Sequence, residues 1–145
     1  MGESCSTKVE PPFAQYGQKH MDDRSVASHT AIMVAGLRAL ATDRVNPICT
    51  DPWAAALAGG DGIALGRRFG ETNPDFELWI ALRTAWIDGF IERHAGSGSA
   101  IGQIVLLGAG LDSRAARFGR DGLTFFEVDH PETQLEKKAR LADLD

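Results

Sequence analysis

Apolar and polar positions alternate with two different periods along this chain, and the change falls near residue 100. From Asp23 onward Val26, Thr30, Met33, Val34, Leu37 and Ala41 recur near i, i+3/i+4 spacing, which predicts a helix. Residues 1–22 before it are polar, carry Pro11 and Pro12 and show no period, which predicts a mobile tail. Asp51-Pro52 then places a capping acceptor before a proline at a first helical position, and Gly59 follows, so DPWAAALAG predicts a short capped helix. Gly60 to Gly70 reads as a glycine-broken connection. Asn73-Pro74 opens the strongest helix of the sequence and Gly96 closes it. Its apolar stripe is Phe76, Trp79, Ile80, Ile87, Phe90 and Ile91, and Arg83 occupies the position that should continue the stripe. An arginine on a buried helix face is expensive unless an anion meets it. A structural ion pair, or a guanidinium reaching to the surface, would account for it equally well.

GSGSAIG (96–102) predicts a flexible joint, and beyond it the pattern is that of a sheet. Ile104 to Leu107 is a continuous apolar run, which suits a strand covered on both faces as in parallel sheets. LDSRAARFG predicts a short helical segment, Leu123 to Val128 a second strand ending at Asp129, and Pro131 the start of a helix. His130 beside Asp129 reads as a helix-start residue rather than a catalytic base. Strand, glycine turn, helix, strand and helix make one βαβ unit with an acidic residue at the tip of its second strand. The last helix reaches Asp145 without a stop signal, so the expectation is an α/β domain cut part-way: a helical lead-in over 23–100 and a βαβ unit over 101–145.

Totals narrow the functional classes. With 145 residues, 43% hydrophobic and 24% charged, the chain has the composition of an ordinary soluble domain. Its formal net charge of −5 gives no reason to expect nucleic acid or an anionic membrane as partner. Cys5 and Cys49 suggest no disulfide framework, and His20, His29, His94 and His130 are too scattered for a ligand set, so no metal is expected. Neither a membrane span nor a signal peptide is evident, which makes the cytoplasm the expected location.

The chemistry concentrates in VLLGAGLDSR (105–114). In open α/β sheets ligands bind beyond the carboxyl ends of the strands. There, glycines let backbone N–H groups approach a ligand and a helix N-terminus adds partial positive charge. Asp129 stands 19 positions after Gly110, near the spacing of a carboxylate that accepts hydrogen bonds from ribose hydroxyls. An adenosine-containing ligand is therefore expected at Gly108, Gly110 and Asp129. Nicotinamide dinucleotides and S-adenosylmethionine share this plan. Ser113 stands where a dinucleotide motif wants its third glycine, and about a hundred residues precede the unit, and both facts favour the methyl donor. Arg83 then has a partner, since a guanidinium is a suitable bidentate ligand for the methionine carboxylate.

DPWAAALAG, LRTAWIDGFI, QIVLLGAGLDSRAARF and FFEVDHPETQLEKK together resemble the leucine carboxyl methyltransferase-like family, in its bacterial branch of S-adenosylmethionine-dependent methyltransferases. The resemblance covers roughly residues 25–145. It implies a class I methyltransferase (Rossmann-like) fold with helices ahead of the first strand. By motif position, Gly108 and Gly110 would line the cofactor, Asp129 would hold the ribose hydroxyls and Arg83 the methionine carboxylate. Ala85 departs from the family's frequent second arginine, leaving Arg83 without a helper charge. Family members continue with further strands, which carry the adenine-binding acid and most of the substrate pocket. The implied acceptor is a small-molecule or peptide carboxylate, and a chain of this extent is expected to be marginally stable, to bind cofactor weakly and to self-associate through an open sheet edge. A non-catalytic remnant and a nicotinamide-dependent oxidoreductase fragment are the competing expectations.

Overall fold

The computed structural model describes residues 28–96 and 98–142. The expected tail, Val26 and the end of the last helix lie outside them. The elements run α1 (His29–Thr42), α2 (Ala54–Thr72), α3 (Pro74–His94), β1 (Gln103–Leu107), α4 (Arg114–Phe118), β2 (Thr124–Val128) and α5 (Pro131–Ala142). This is a mixed α/β architecture, a helical layer followed by a two-stranded parallel sheet.

In α1, Ala35 to Ala39 are all buried, so its second half is enclosed by α2 and α3 rather than amphipathic. The segment expected as a glycine-broken connection is helical. A kink at Gly59, where φ is 64°, separates the DPWAAALA turn from a continuing helix to Thr72. Gly62 and Gly66 after it serve contact, not breakage: a Cβ on Gly62 would lie 2.6 Å from Ile32 Cγ2, one on Gly66 3.0 Å from the Leu37 nitrogen, and one on Gly36 of α1 2.0 Å from the Gly62 carbonyl oxygen. α1 and α2 therefore cross backbone against backbone. Around that crossing Ile32, Ala35, Leu57, Ala58 and Leu111 form one apolar cluster.

β1 and β2 pair in parallel from Gln103↔Thr124 to Leu107↔Val128. The expectation of a strand covered on both faces is not met. Burial alternates along both strands. Ile104 and Phe125 pack with Ile87, Ile91 and Leu123 on the covered face. Val105, Leu107, Phe126 and Val128 lie on the other face, with Leu107 78% exposed. The reason is that among the described residues the helices α3 and α4 cover one side only, and β1 has a single strand neighbour. The apolar run in the sequence is that of an interior strand; its surroundings here are half as complete.

Asp51 bonds the turn before α2 as expected of a capping acceptor, taking the Trp53 N–H on Oδ1 at 3.2 Å, but the helix begins at Ala54, two residues beyond Pro52. No helix among the described residues is long and apolar enough to cross a membrane.

Candidate functional site

At the carboxyl end of β1 the chain leaves the sheet through Gly108 (φ 63°) and Gly110 (φ 51°), a left-handed backbone that a side chain resists. The Gly108 and Ala109 N–H groups both donate to the Val128 carbonyl, at 2.8 and 3.2 Å, which folds the turn over the end of β2. The Gly110 N–H donates to Asp129 Oδ2 at 2.5 Å, and the His130 N–H donates to Asp129 Oδ1 at 2.6 Å. Gly108, Gly110 and Asp129, the last of them 19 residues beyond Gly110, are thus brought together beyond both strand ends. Each carboxylate oxygen keeps acceptor capacity after these bonds. A Cβ on Gly108 would meet nothing within 4 Å, so the backbone there faces open space, whereas Gly110 is packed on Ala31 of α1. His130 starts α5, its carbonyl accepting the Gln134 N–H at 3.1 Å, as its position before Pro131 predicts.

Arg83 is placed differently from the expectation. It is exposed, with its guanidinium 5.2 Å from the Trp79 ring centroid, and Trp79 and Phe90 of the expected buried stripe are themselves 50% and 41% exposed. The face that α3 buries is Ile80, Ala81, Thr84, Asp88 and Ile91. An apolar-stripe search passes over Asp88 and so rotates the stripe toward the aromatic residues. Among the described residues no carboxylate pairs with Arg83. Burial of part of the side chain lowers its pKa, as does the positive charge of Arg114, with Asp112 opposing.

The segment just after the glycine turn is anchored by a charge cluster that the sequence patterns do not reveal. Arg38 donates through Nε to Asp51 Oδ2 at 2.9 Å and through Nη2 to the Leu111 carbonyl at 2.6 Å. Ser113 Oγ donates to Asp51 Oδ2 at 2.7 Å and accepts from Arg117 Nε at 2.8 Å. Arg117 Nη1 and Arg114 Nε reach the two oxygens of Asp88, each at 2.7 Å, and Arg114 Nη1 also bonds Asp112. Three arginines and three aspartates balance in charge, which a cluster this enclosed requires. Burial pushes the Asp51 carboxyl up, but Arg38, the Ser113 hydroxyl and Arg117 outweigh it and hold the pKa below the ordinary 3.8. Burial, reinforced by Asp88 and Asp51, raises the Cys49 thiol beside the cluster, so it stays protonated and is no nucleophile. The one available signal was Arg38, a charge inside the apolar run of the first helix.

Two surface hollows occur elsewhere. One of about 640 Å³ is bordered by Trp79, Leu82, Arg83, Ala85, Trp86 and Arg93 along α3, and one of about 230 Å³ lies between the end of α1 and the start of α3. Neither borders the glycine turn.

Comparison with known proteins places this geometry in a lineage. The family model described as leucine carboxyl methyltransferase matches residues 31–145. Three mycobacterial proteins, each named "Putative S-adenosyl-L-methionine-dependent methyltransferase", are similar to this chain. The one from Mycobacteroides abscessus is 38% identical over 127 residues, covering 76% of this chain and 40% of that protein. That from Mycobacterium avium is 39% identical over 142 residues, covering 88% and 46%. That from Mycobacterium tuberculosis is 36% identical over 126 residues, covering 79% and 38%. The chain thus spans less than half the length of the relatives it matches. The match runs from α1 through the glycine turn and Asp129 into α5, and on it the chain belongs to the leucine carboxyl methyltransferase family.

Proposed function

We propose that this chain contributes the cofactor-binding part of an S-adenosylmethionine-dependent methyltransferase whose acceptor is a carboxylate. The observation that carries the proposal is the 2.5 Å bond from the Gly110 N–H to Asp129, which sets a glycine turn and a strand-end carboxylate side by side where α/β sheets bind nucleosides. Support for the ligand's class comes from the family and from the names of the relatives.

The residues present suit that cofactor. Open space above Gly108 admits a ligand to the backbone, and Asp129 has lone pairs left for vicinal hydroxyls. When bound, S-adenosylmethionine supplies an already activated methyl group. The protein's tasks are to orient and to exclude water. Gly108 and Gly110 give close backbone approach, Asp129 fixes the ribose, and Arg83 is the partner assigned to the amino-acid carboxylate. An ionised carboxylate acceptor needs no general base, and none is assigned. In this proposal residues 23–100 are the helical lead-in and residues 101–145 the first βαβ unit of a class I methyltransferase domain, working in the cytoplasm on a small-molecule or peptide acceptor. The half-covered sheet makes self-association the companion property of the isolated chain.

Ultraviolet crosslinking with labelled S-adenosylmethionine and with labelled NAD tests the proposal. Labelling by the methyl donor, lost in Asp129→Ala, is expected. Labelling by NAD instead, or labelling indifferent to Asp129→Ala, overturns it.

A further inference from the structure

The outer side of α3 carries a strip of large apolar side chains. Leu78, Trp79, Leu82, Trp86 and Phe90 are 41–68% exposed there. Single surface hydrophobics are ordinary, but a contiguous row of them marks a contact surface. The hollow of about 640 Å³ along this side is bordered by residues of α3 alone, from Trp79 to Arg93. It has a floor and no facing wall, so it does not enclose a small ligand. Its shape suits another helix laid along it.

Within the strip the spacing is regular. Asp75, Trp79, Leu82, Trp86, Gly89 and Arg93 follow one another in alternating steps of four and three. That is the seam of a heptad repeat. At 3.6 residues per turn it lies opposite the buried face made by Ile80, Thr84, Asp88 and Ile91. The seam is acidic at its first position and basic at its last, and both ends are exposed. Neither Asp75 nor Arg93 has an ion-pair partner among the described residues.

We propose that this side of α3 binds the same helix of a second copy of the chain, antiparallel about a twofold axis at the level of Thr84. In that register Asp75 meets the partner's Arg93 at both ends, Leu82 packs on the partner's Trp86, and Trp79 faces the partner's Gly89. Gly89 has no side chain, and the flexible end of Arg93 lies over it, with Nη1 3.0 Å from where a Cβ would be. A tryptophan therefore has room there once Arg93 turns to the partner's Asp75. A parallel pair would set Asp75 on Asp75 and Arg93 on Arg93, so charge selects the antiparallel one. Such a contact closes on itself and stops at two copies. One helix from each copy makes a small interface, which sets the dissociation constant at about micromolar. The contact requires neither the cofactor nor the bare sheet face.

Sedimentation equilibrium on the full chain tests this, in wild type and in Leu107→Lys, where a charge blocks the sheet face and leaves α3 alone. Both proteins should show a monomer–dimer equilibrium. In the Leu107→Lys background, Trp86→Glu should abolish the dimer. Asp75→Arg should weaken it about ten-fold, since like charges then meet at both ends, and adding Arg93→Asp should restore it. A monomer at about 100 µM, its strip bare or covered by other residues of the same chain, overturns the proposal. So does a dimer that vanishes in Leu107→Lys, one indifferent to Trp86→Glu, or one that the double exchange fails to restore. Should Trp86→Glu unfold the chain, tryptophan emission of Leu107→Lys decides. Two of the chain's three tryptophans lie in the strip, so emission should move to shorter wavelength as the dimer forms. Dimerisation without that movement overturns the proposal.

Discussion

Asp51 and Ser113, 62 residues apart in the chain, share a buried 2.7 Å hydrogen bond, each residue 1% exposed. The bond fastens the exit of the glycine turn to the helical layer rather than to the sheet. Arg38 adds a second tie two residues earlier, at the Leu111 carbonyl. Ser113 is also the residue that replaces the third glycine of a dinucleotide motif. Its hydroxyl lies between Asp51 and the Arg117 guanidinium, and a glycine there would leave both short of one partner. The substitution that argues against a dinucleotide is thus a structural requirement of this turn.

Removing Asp51 should therefore damage the turn as well as the helices. Asp51→Ala strands Arg38 as a buried charge and is expected to cost about 3 kcal/mol. Ser113→Ala should cost about 1 kcal/mol, since it leaves charge partners in place. Urea midpoints of the two single variants and the double should be non-additive, because both act on one network. Additive losses would mean that the bond contributes nothing of its own.

The depressed pKa of Asp51 fixes the sign of an acid effect. The folded value lies below the ordinary 3.8, so the folded state holds its proton less tightly than the unfolded chain. The stability this contributes is fully present above about pH 4 and is lost as pH falls through the folded value. Urea unfolding of the wild type should weaken steeply below about pH 4, and Asp51→Asn, less stable at neutrality, should show a shallower acid slope. Parallel slopes in the two proteins would assign acid sensitivity to other carboxylates.

How much of this was legible beforehand follows from what pattern analysis detects. The βαβ unit, Asp129 at its tip and the helix start at Pro131 announce themselves through local grammar, and each stands where the spacing puts it. Gly60–Gly70 misled because glycine marks both a break and a close contact, and only the approach of α1 distinguishes them. The burial of Arg83 misled because Asp88, not an apolar residue, completes the inner face of α3. The ion cluster joins residues from α1, the turn before α2, α3 and α4, and no periodicity along the chain can report such a meeting.

The α1–α2 crossing offers a sharp test of the glycine reinterpretation. Gly62→Val must displace Ile32 Cγ2 and backbone atoms already inside contact distance, and neither helix can shift without opening the Ile32, Ala35 and Leu57 cluster. A loss of about 2–3 kcal/mol is expected in urea unfolding. Gly70→Ala, where a Cβ meets nothing within 4 Å, should instead stabilise by about 0.5 kcal/mol as a helical glycine replaced. If both behaved alike, α1 and α2 would not be in the contact described.

The bare sheet face makes the last prediction, and its direction is opposite to that of ordinary core variants. Val105, Leu107, Phe126 and Val128 are apolar, β-prone and 48–78% exposed, so they add little to the stability of the single chain and much to its stickiness. Leu107→Lys should leave the urea midpoint within about 0.5 kcal/mol of wild type, since almost no contact is removed. The same change should lower the concentration dependence of the sedimentation coefficient, because a charge on that face has to be desolvated when two sheets meet. Ile104→Lys on the covered face should do the reverse, unfolding the chain by stranding a charge among Ile87, Ile91 and Phe125. Should Leu107→Lys destabilise as strongly as Ile104→Lys, the outer face would be packed against something in solution even at high dilution, and the half-covered sheet would be the wrong description of the isolated chain.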